Sequence, residues 1–184
     1  MGALIFAESG DLLTVQTCMS TAGNYMPPMF VFPRARDNLL LLDDAILGSS
    51  ANYYPSGLMK IDIFLSWFKS LIQFYKSSTE KPVLLVLDVH AIHTKSLELI
   101  DMARANYVSL LCLPPPRYSH RLQSLDVTFI APLNTYYQQE FRQRLVMHPG
   151  RPVTIRQVAK LFGSAFLKAA VMRTATNVFR QTGI

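Results

Sequence analysis

The chain has 184 residues, half of them hydrophobic and 16% charged, which excludes a disordered polypeptide and supports one domain with a real core. Its two cysteines, Cys18 and Cys112, lie in separate apolar runs, so neither a disulfide framework nor a paired-cysteine zinc site is expected. The formal net charge of +6 is uneven: residues 141–184 carry 8 Lys/Arg and no acid, the footprint of a polyanion-binding surface or of a solvated helical face.

The N-terminal run "MGALIFA" is too short for a secretory signal and lacks a basic start, and Phe at position 6 does not fit a myristoylation signal. The longest uncharged stretch, Leu12 to Pro33, contains Gly23, Asn24 and three prolines and does not read as a membrane span. A soluble chain without a membrane partner is expected. "ALIFA" and "LLTVQTCMS", separated by the turn signal "ESGD", predict antiparallel strands. A third strand follows in "YMPPMFVFP", where Pro27 and Pro28 predict a late start or an edge position. Arg34 to Gly57 reads as a long irregular surface loop.

From Asp62 the period becomes helical, with Phe64, Trp67, Phe68, Leu71, Phe74 and Tyr75 in phase and Asp62 suited to the cap or first turn. "VLLVLD" predicts a strand buried on both faces, Thr94 to Arg104 a helix with Leu97, Ile100 and Met102 as its apolar residues, and "YVSLLCL" a second buried strand. Strand, helix and strand over about 30 residues make a parallel βαβ unit. Next comes a helix with Phe129, Leu133, Tyr137, Phe141 and Leu145 at intervals of four; Pro132 either sits in its first turn or kinks it. Thr154 and Gln157 form a capping box, with Val158, Leu161, Phe162 and Ala165 inward, and a last helix runs roughly from Arg173 to Gln181. The fold class expected is α+β with a mixed sheet: antiparallel hairpins, then parallel strands with flanking helices. No glycine-rich nucleotide motif is present.

Two carboxylates stand out. Asp88 falls at the C-terminal end of the first buried strand, where side chains of open sheets project into ligand crevices. A charge at the rim of an apolar strand needs compensation, either from a hard cation such as Mg2+ or Mn2+ or from the turn it would cap. Asp126 stands before or at the start of the Phe129 helix, as a second carboxylate or as an ordinary N-terminal helix residue. Side chains off two neighbouring strands could share a pair of ions that clamps the attacking and leaving oxygens of a phosphodiester.

The stretches "TCMSTAGNYMPPMFVFPR", "PSGLMKIDIFLSWF", "PVLLVLDVHAIH", "LLCLPP", "HRLQSLDV", "PLNTYYQQE" and "FRQTGI" occur in this order, and from Ala3 to Ile184 the chain resembles the DDE-type endonuclease domain of pogo-like transposases, including forms related to Tigger and Jerky proteins. The resemblance implies an RNase H-like fold and a three-aspartate metal site that cuts and joins DNA. Asp88 falls on the second acidic position and Asp126 on the third, with 37 residues between them. The first lies on a strand before the point where this chain begins. Residues 1–184 are then expected to form a single domain lacking that strand, with 150–184 as a basic helical extension. Glu8, Asp11, Asp43 and Asp44 are not convincing replacements. Val89 stands where the family has Gly or Asn, and Pro116 and Arg117 replace its usual His-Thr.

The resemblance implies DNA as partner, a nuclear location and Mg2+ or Mn2+ as cofactor, with His90 and His93 orienting Asp88 or lining the substrate groove. Turn and cap hydrogen bonding is the other reading of both histidines. Arg117 and Arg121, with Arg142, Arg144, Arg156 and Lys160, are the expected phosphate contacts. With one carboxylate absent, weak metal binding and no nuclease turnover are expected. The alternatives are a scaffold that binds DNA or protein without catalysis, and a binuclear-metal phosphoesterase in which "DVHAIH" would supply Asp88 and His90 as ligands. A homodimer is the one further partner considered.

Overall fold

The computed structural model describes residues 2–8, 11–87, 96–112 and 126–182. The chain divides into two compact units, one of Gly2–Leu58 with Gln123–Ile184 and one of Met59–Leu122. Among the described residues no helix is long and apolar enough to cross a membrane. The class is α+β; the described residues form a four-stranded sheet, a two-stranded sheet and five α-helices.

In the first unit, β1 (Gly2–Glu8) and β2 (Asp11–Met19) form an antiparallel hairpin from Gly2 opposite Thr17 to Glu8 opposite Asp11. The turn residues 9–10 lie outside the described residues. β3 (Tyr25–Phe32) neither starts late nor lies at an edge, which corrects the expectation from its prolines: it sits between β2 and β4 (Ser50–Tyr53). The reason is a bulge. Gln16 faces Met29 and Cys18 faces Met26, so Pro27 and Pro28 together oppose Thr17, where no ladder N–H is needed. The β4 ladder begins only at Met29, past both prolines.

β4 lies within the stretch expected to be loop. It runs parallel to β3, and four residues of mixed polarity carry no periodic signal. A 3-10 turn, Leu39–Leu42, also interrupts the expected loop, anchored by Leu41, which is 1% exposed. The chain returns over β2 at Gly57, whose carbonyl accepts from the Thr14 N–H at 3.2 Å. At φ +66°, a side chain there would be strained, and a Cβ would stand 1.8 Å from the Leu12 carbonyl oxygen.

The helices of this unit begin with a single π turn, Asp126–Ile130, which runs into α3 (Ala131–Met147) with Pro132 in its first turn, as expected. Phe129, Leu133 and Tyr137 are buried, Phe141 is half-buried, and Leu145 is 40% exposed. Steps of four residues advance about 40° each around a 3.6-residue helix, so the stripe rotates out of the core by its end. α4 (Ile155–Ala169) opens on the expected capping box: Gln157 Oε1 accepts from the Thr154 N–H at 2.9 Å and from the Thr154 hydroxyl at 2.8 Å. Val158, Leu161, Phe162 and Ala165 are all buried, as read from their spacing. α5 (Met172–Thr182) closes the unit.

The core joins sheet to helices through aromatic rings. Phe30 meets Phe162 edge-on at 5.4 Å, and Tyr25 lies 5.5 Å from Phe129 and 5.8 Å from Phe166. The Tyr25 hydroxyl donates to the Val171 carbonyl at 3.1 Å, tying β3 to the start of α5.

In the unit Met59–Leu122, α1 (Ile61–Tyr75) buries Phe64, Leu65, Trp67, Phe68 and Leu71 and carries Asp62 in its first turn. Phe74, in phase with these residues, is 42% exposed. β5 (Val83–Leu87), α2 (Leu97–Ala105) and β6 (Val108–Cys112) make the expected βαβ unit, with Val83 opposite Val108 and Leu87 opposite Cys112 in parallel. Its strands are not buried on both faces, since Leu84 and Leu111 are exposed. α2 is capped by Ser96, whose hydroxyl accepts from the Leu99 N–H at 3.2 Å, and it buries Leu99 and Ala103 rather than Leu97 and Ile100. Leu99 and Ala103, four residues apart, form the inward stripe of this helix.

Burial pushes the Tyr25 hydroxyl up to about 12 from 10.0, against a smaller pull from the Ala175 backbone. Its folded value is the higher one, so the stability it contributes is full below about pH 10 and fades as pH rises through 12. The Tm of the parent chain should fall more steeply between pH 10 and 12 than that of Tyr25→Phe, which should itself lose about 1 kcal/mol at neutral pH with its hydrogen bond. Gly57→Ala should lower the urea midpoint by the equivalent of about 2 kcal/mol or more, from the left-handed backbone and the Leu12 clash together.

Candidate nucleic-acid interface and acidic positions

Asp88 follows directly on Leu87, the last residue of β5, at the sequence position expected for a strand-end carboxylate. Asp88, His90 and His93 lie outside the described residues, as do Arg117 and Arg121. Asp126 is the first residue of the π turn that leads into α3, the helix-start position read from sequence. β5 belongs to one unit and the π turn to the other. Among the described residues no group of three or more His, Cys, Asp or Glu is placed to hold a metal.

The basic residues of 141–184 are distributed over three helices and one connection. Arg142 and Arg144 lie on α3, Arg151 on the connection, Arg156, Lys160 and Lys168 on α4, and Arg173 and Arg180 on α5. Lys168 pairs with Glu140, and Lys160 Nζ lies 2.8 Å from Asp44 Oδ2. The arginines have no carboxylate partner among the described residues.

The expected phosphate contacts fall into two places. Arg142 stands on an exposed face of α3 with Asn134, Thr135, Gln138 and Gln139, which line a concavity of about 260 Å³. Arg144, Arg156 and Lys160 share a second cleft of about 300 Å³, completed by Gln157, Leu40, Asp43 and Asp44. The segment after the 3-10 turn packs closely on α4 at Gly163, where a Cβ would meet Ile46 at 3.3 Å. That close approach carries Asp43 and Asp44 over the basic residues.

Electrostatics in this cleft are unevenly satisfied. Lys160 and Asp44 are 54% and 65% exposed, so their bond is the kind that contributes about 0–1 kcal/mol. Asp44 is held at φ 60°, a left-handed conformation that only glycine adopts freely, though Asp and Asn bear it best. Arg144 Nε is buried without a hydrogen-bond partner, at a desolvation cost of about 1–3 kcal/mol.

Sequence reasoning found the cations but missed Asp43, Asp44 and Gln157 as their neighbours. One signal was available: four consecutive leucines, Leu39 to Leu42, inside an otherwise polar stretch mark an anchored turn rather than a free loop.

Comparison with known proteins connects these elements to a family. No solved structure matches the chain. A stretch of 127 residues is 28% identical to the MFS-type transporter clz9 of Cochliobolus lunatus; it covers 67% of this chain and spans 13% of that protein's length. Residues 11–177 match the model of the DDE superfamily endonuclease domain, from the start of β2 into α5. The match takes in both β5, which Asp88 follows, and the π turn that Asp126 opens, and the chain belongs to the DDE superfamily of endonucleases.

Proposed function

We propose that these 184 residues bind DNA as a transposase-derived, RNase H-like DDE domain of the pogo-like group, and that on their own they do not cleave it. The observation that carries this reading is the DDE match over residues 11–177 in a chain whose last 44 residues bear 8 Lys/Arg and no acid. Endonucleases of this superfamily act on nucleic acid, and the basic helices supply the matching charge.

Arg142, Arg144, Arg156 and Lys160, with Arg117 and Arg121 ahead of Asp126, contact phosphates. Such contacts fix position and affinity without reading sequence. Asp88 and Asp126 are two of the three carboxylates the resemblance calls for, and His90 and His93 orient the first. Both donors are hard carboxylate oxygens, the class that Mg2+ and Mn2+ prefer, so these two residues would hold the ion. When bound, it supplies Lewis-acid polarisation of the scissile phosphodiester. With two carboxylates of three, ion binding is weak and binding of DNA outlasts cleavage. A nuclear location follows from the partner.

Fluorescence anisotropy with a 20-base-pair duplex tests the reading. Affinity should fall by about 10³-fold or more between 50 and 200 mM salt if six or more phosphates are engaged. It should not change in Asp88→Ala or Asp126→Ala, and supercoiled plasmid should stay intact with Mg2+. Plasmid nicking that disappears in Asp88→Ala establishes an active nuclease instead. Absence of duplex binding at low salt removes DNA as the partner.

A further inference from the structure

We infer that the cleft between the Leu39–Leu42 turn and helices α3 and α4 takes a phosphate group of the DNA backbone, and that Asp44 occupies its place on Lys160 until the phosphate arrives. The inference rests on the DNA-binding reading above and names one site within it.

The donors converge from separate segments. Arg144 comes from the last turn of α3, Arg156 and Lys160 from the first two turns of α4, and all three line one cleft of about 300 Å³, the volume of about ten waters. A phosphate with part of its hydration shell fits that space. Arg144 Nε is buried and lacks a partner, and the Arg156 guanidinium has no carboxylate partner among the described residues. Gln157 Oε1 is committed to Thr154, which leaves its Nε2 as the group able to donate.

Charge fits as well. Three cations against Asp43 and Asp44 leave one positive charge, which one phosphodiester neutralises. The carboxylate already in the cleft shows what kind of group the cations accept. Asp44 Oδ2 lies 2.8 Å from Lys160 Nζ, an anionic oxygen at the distance expected of a phosphate oxygen. That contact is exposed, and Asp44 holds it from a left-handed backbone conformation, so a second anion can displace it at small cost. The acids therefore act as a mask: they keep the cleft from binding loosely held anions and set the threshold a polyanion must exceed.

The test uses the full chain, the 20-base-pair duplex and inorganic pyrophosphate as a second probe. Asp44→Asn, which tolerates the same backbone, should bind the duplex about threefold to tenfold more tightly, on the scale of one nearby surface charge. Asp101→Asn, the same charge change on the exposed face of α2, should not. Arg144→Gln and Arg156→Gln should each weaken binding and each reduce the slope of log K against log salt by about 1. Lys69→Gln on α1 controls for total charge, and circular dichroism confirms folding of every variant. Millimolar pyrophosphate should raise the Tm of the parent chain but not that of the Arg144→Gln/Arg156→Gln double variant.

If the parent chain binds duplex while Asp44→Asn matches Asp101→Asn and both arginine variants keep the parent slope, the cleft is overturned and the DNA reading stands. If pyrophosphate stabilises the parent chain but duplex does not bind, DNA is overturned as the source of the phosphate. If neither probe binds, both readings fall.

Discussion

The packing of one face of the four-stranded sheet against α4 is the contact on which this unit depends. In the unit that holds the four-stranded sheet, Val15, Phe30 and Phe32 are fully buried, and Phe162, Ala165 and Phe166 of α4 lie in the same cluster. Each such phenylalanine contributes about 1.5–3 kcal/mol by leaving water, so the sheet and α4 are mutually dependent. Leu41, Phe129, Leu133 and Tyr137 join the same cluster from other segments. The position of the 3-10 turn, of α3 and of the Asp126 turn follows from that packing. Tyr25 adds direction to it, since a hydroxyl bonded to Val171 fixes which way β3 meets the start of α5.

The basic surface is a by-product of the same helix. α4 buries eight of its fifteen residues, which leaves a narrow outward strip where Arg156, Lys160 and Lys168 are found. What distinguishes the cleft from the rest of that strip is the segment laid across it. Ile46 packs on Gly163, and Asp43 and Asp44 line the same cleft as the cations. Local charge is therefore smaller than the count along the chain implies, and its arrangement matters more than its sum.

Much of this organisation was legible in the residues. The βαβ unit, the capping box and the four inward residues of α4 follow from periodicity and cap chemistry, which act over a few neighbours. What was not legible depends on distant partners. Pro27 and Pro28 sit inside a sheet because β3 bulges there, the two prolines opposing the single residue Thr17 of β2, and nothing within "YMPPMFVF" reveals that. Ser50 to Tyr53 pairs with β3 through a ladder, not through its own pattern. Leu84 and Leu111 are exposed although an apolar run reads as buried, because hydrophobicity alone does not say how many faces of a strand are covered. For the candidate site, residue type located Asp126 at a helix start and the cations on α3 and α4. The acids beside them, Asp43 and Asp44, lie in a segment whose placement is tertiary.

A polycation on a mobile tail must lose freedom each time it engages its target. Charges mounted on a helix wedged into the protein interior have already surrendered most of theirs during folding. The outward strip of α4 is of the second kind, because Val158, Ala159, Phe162 and Ala165 lock its backbone beneath Arg156 and Lys160. A partner engaging these side chains would meet a pre-arranged surface, with the entropic penalty falling mainly on side-chain tips.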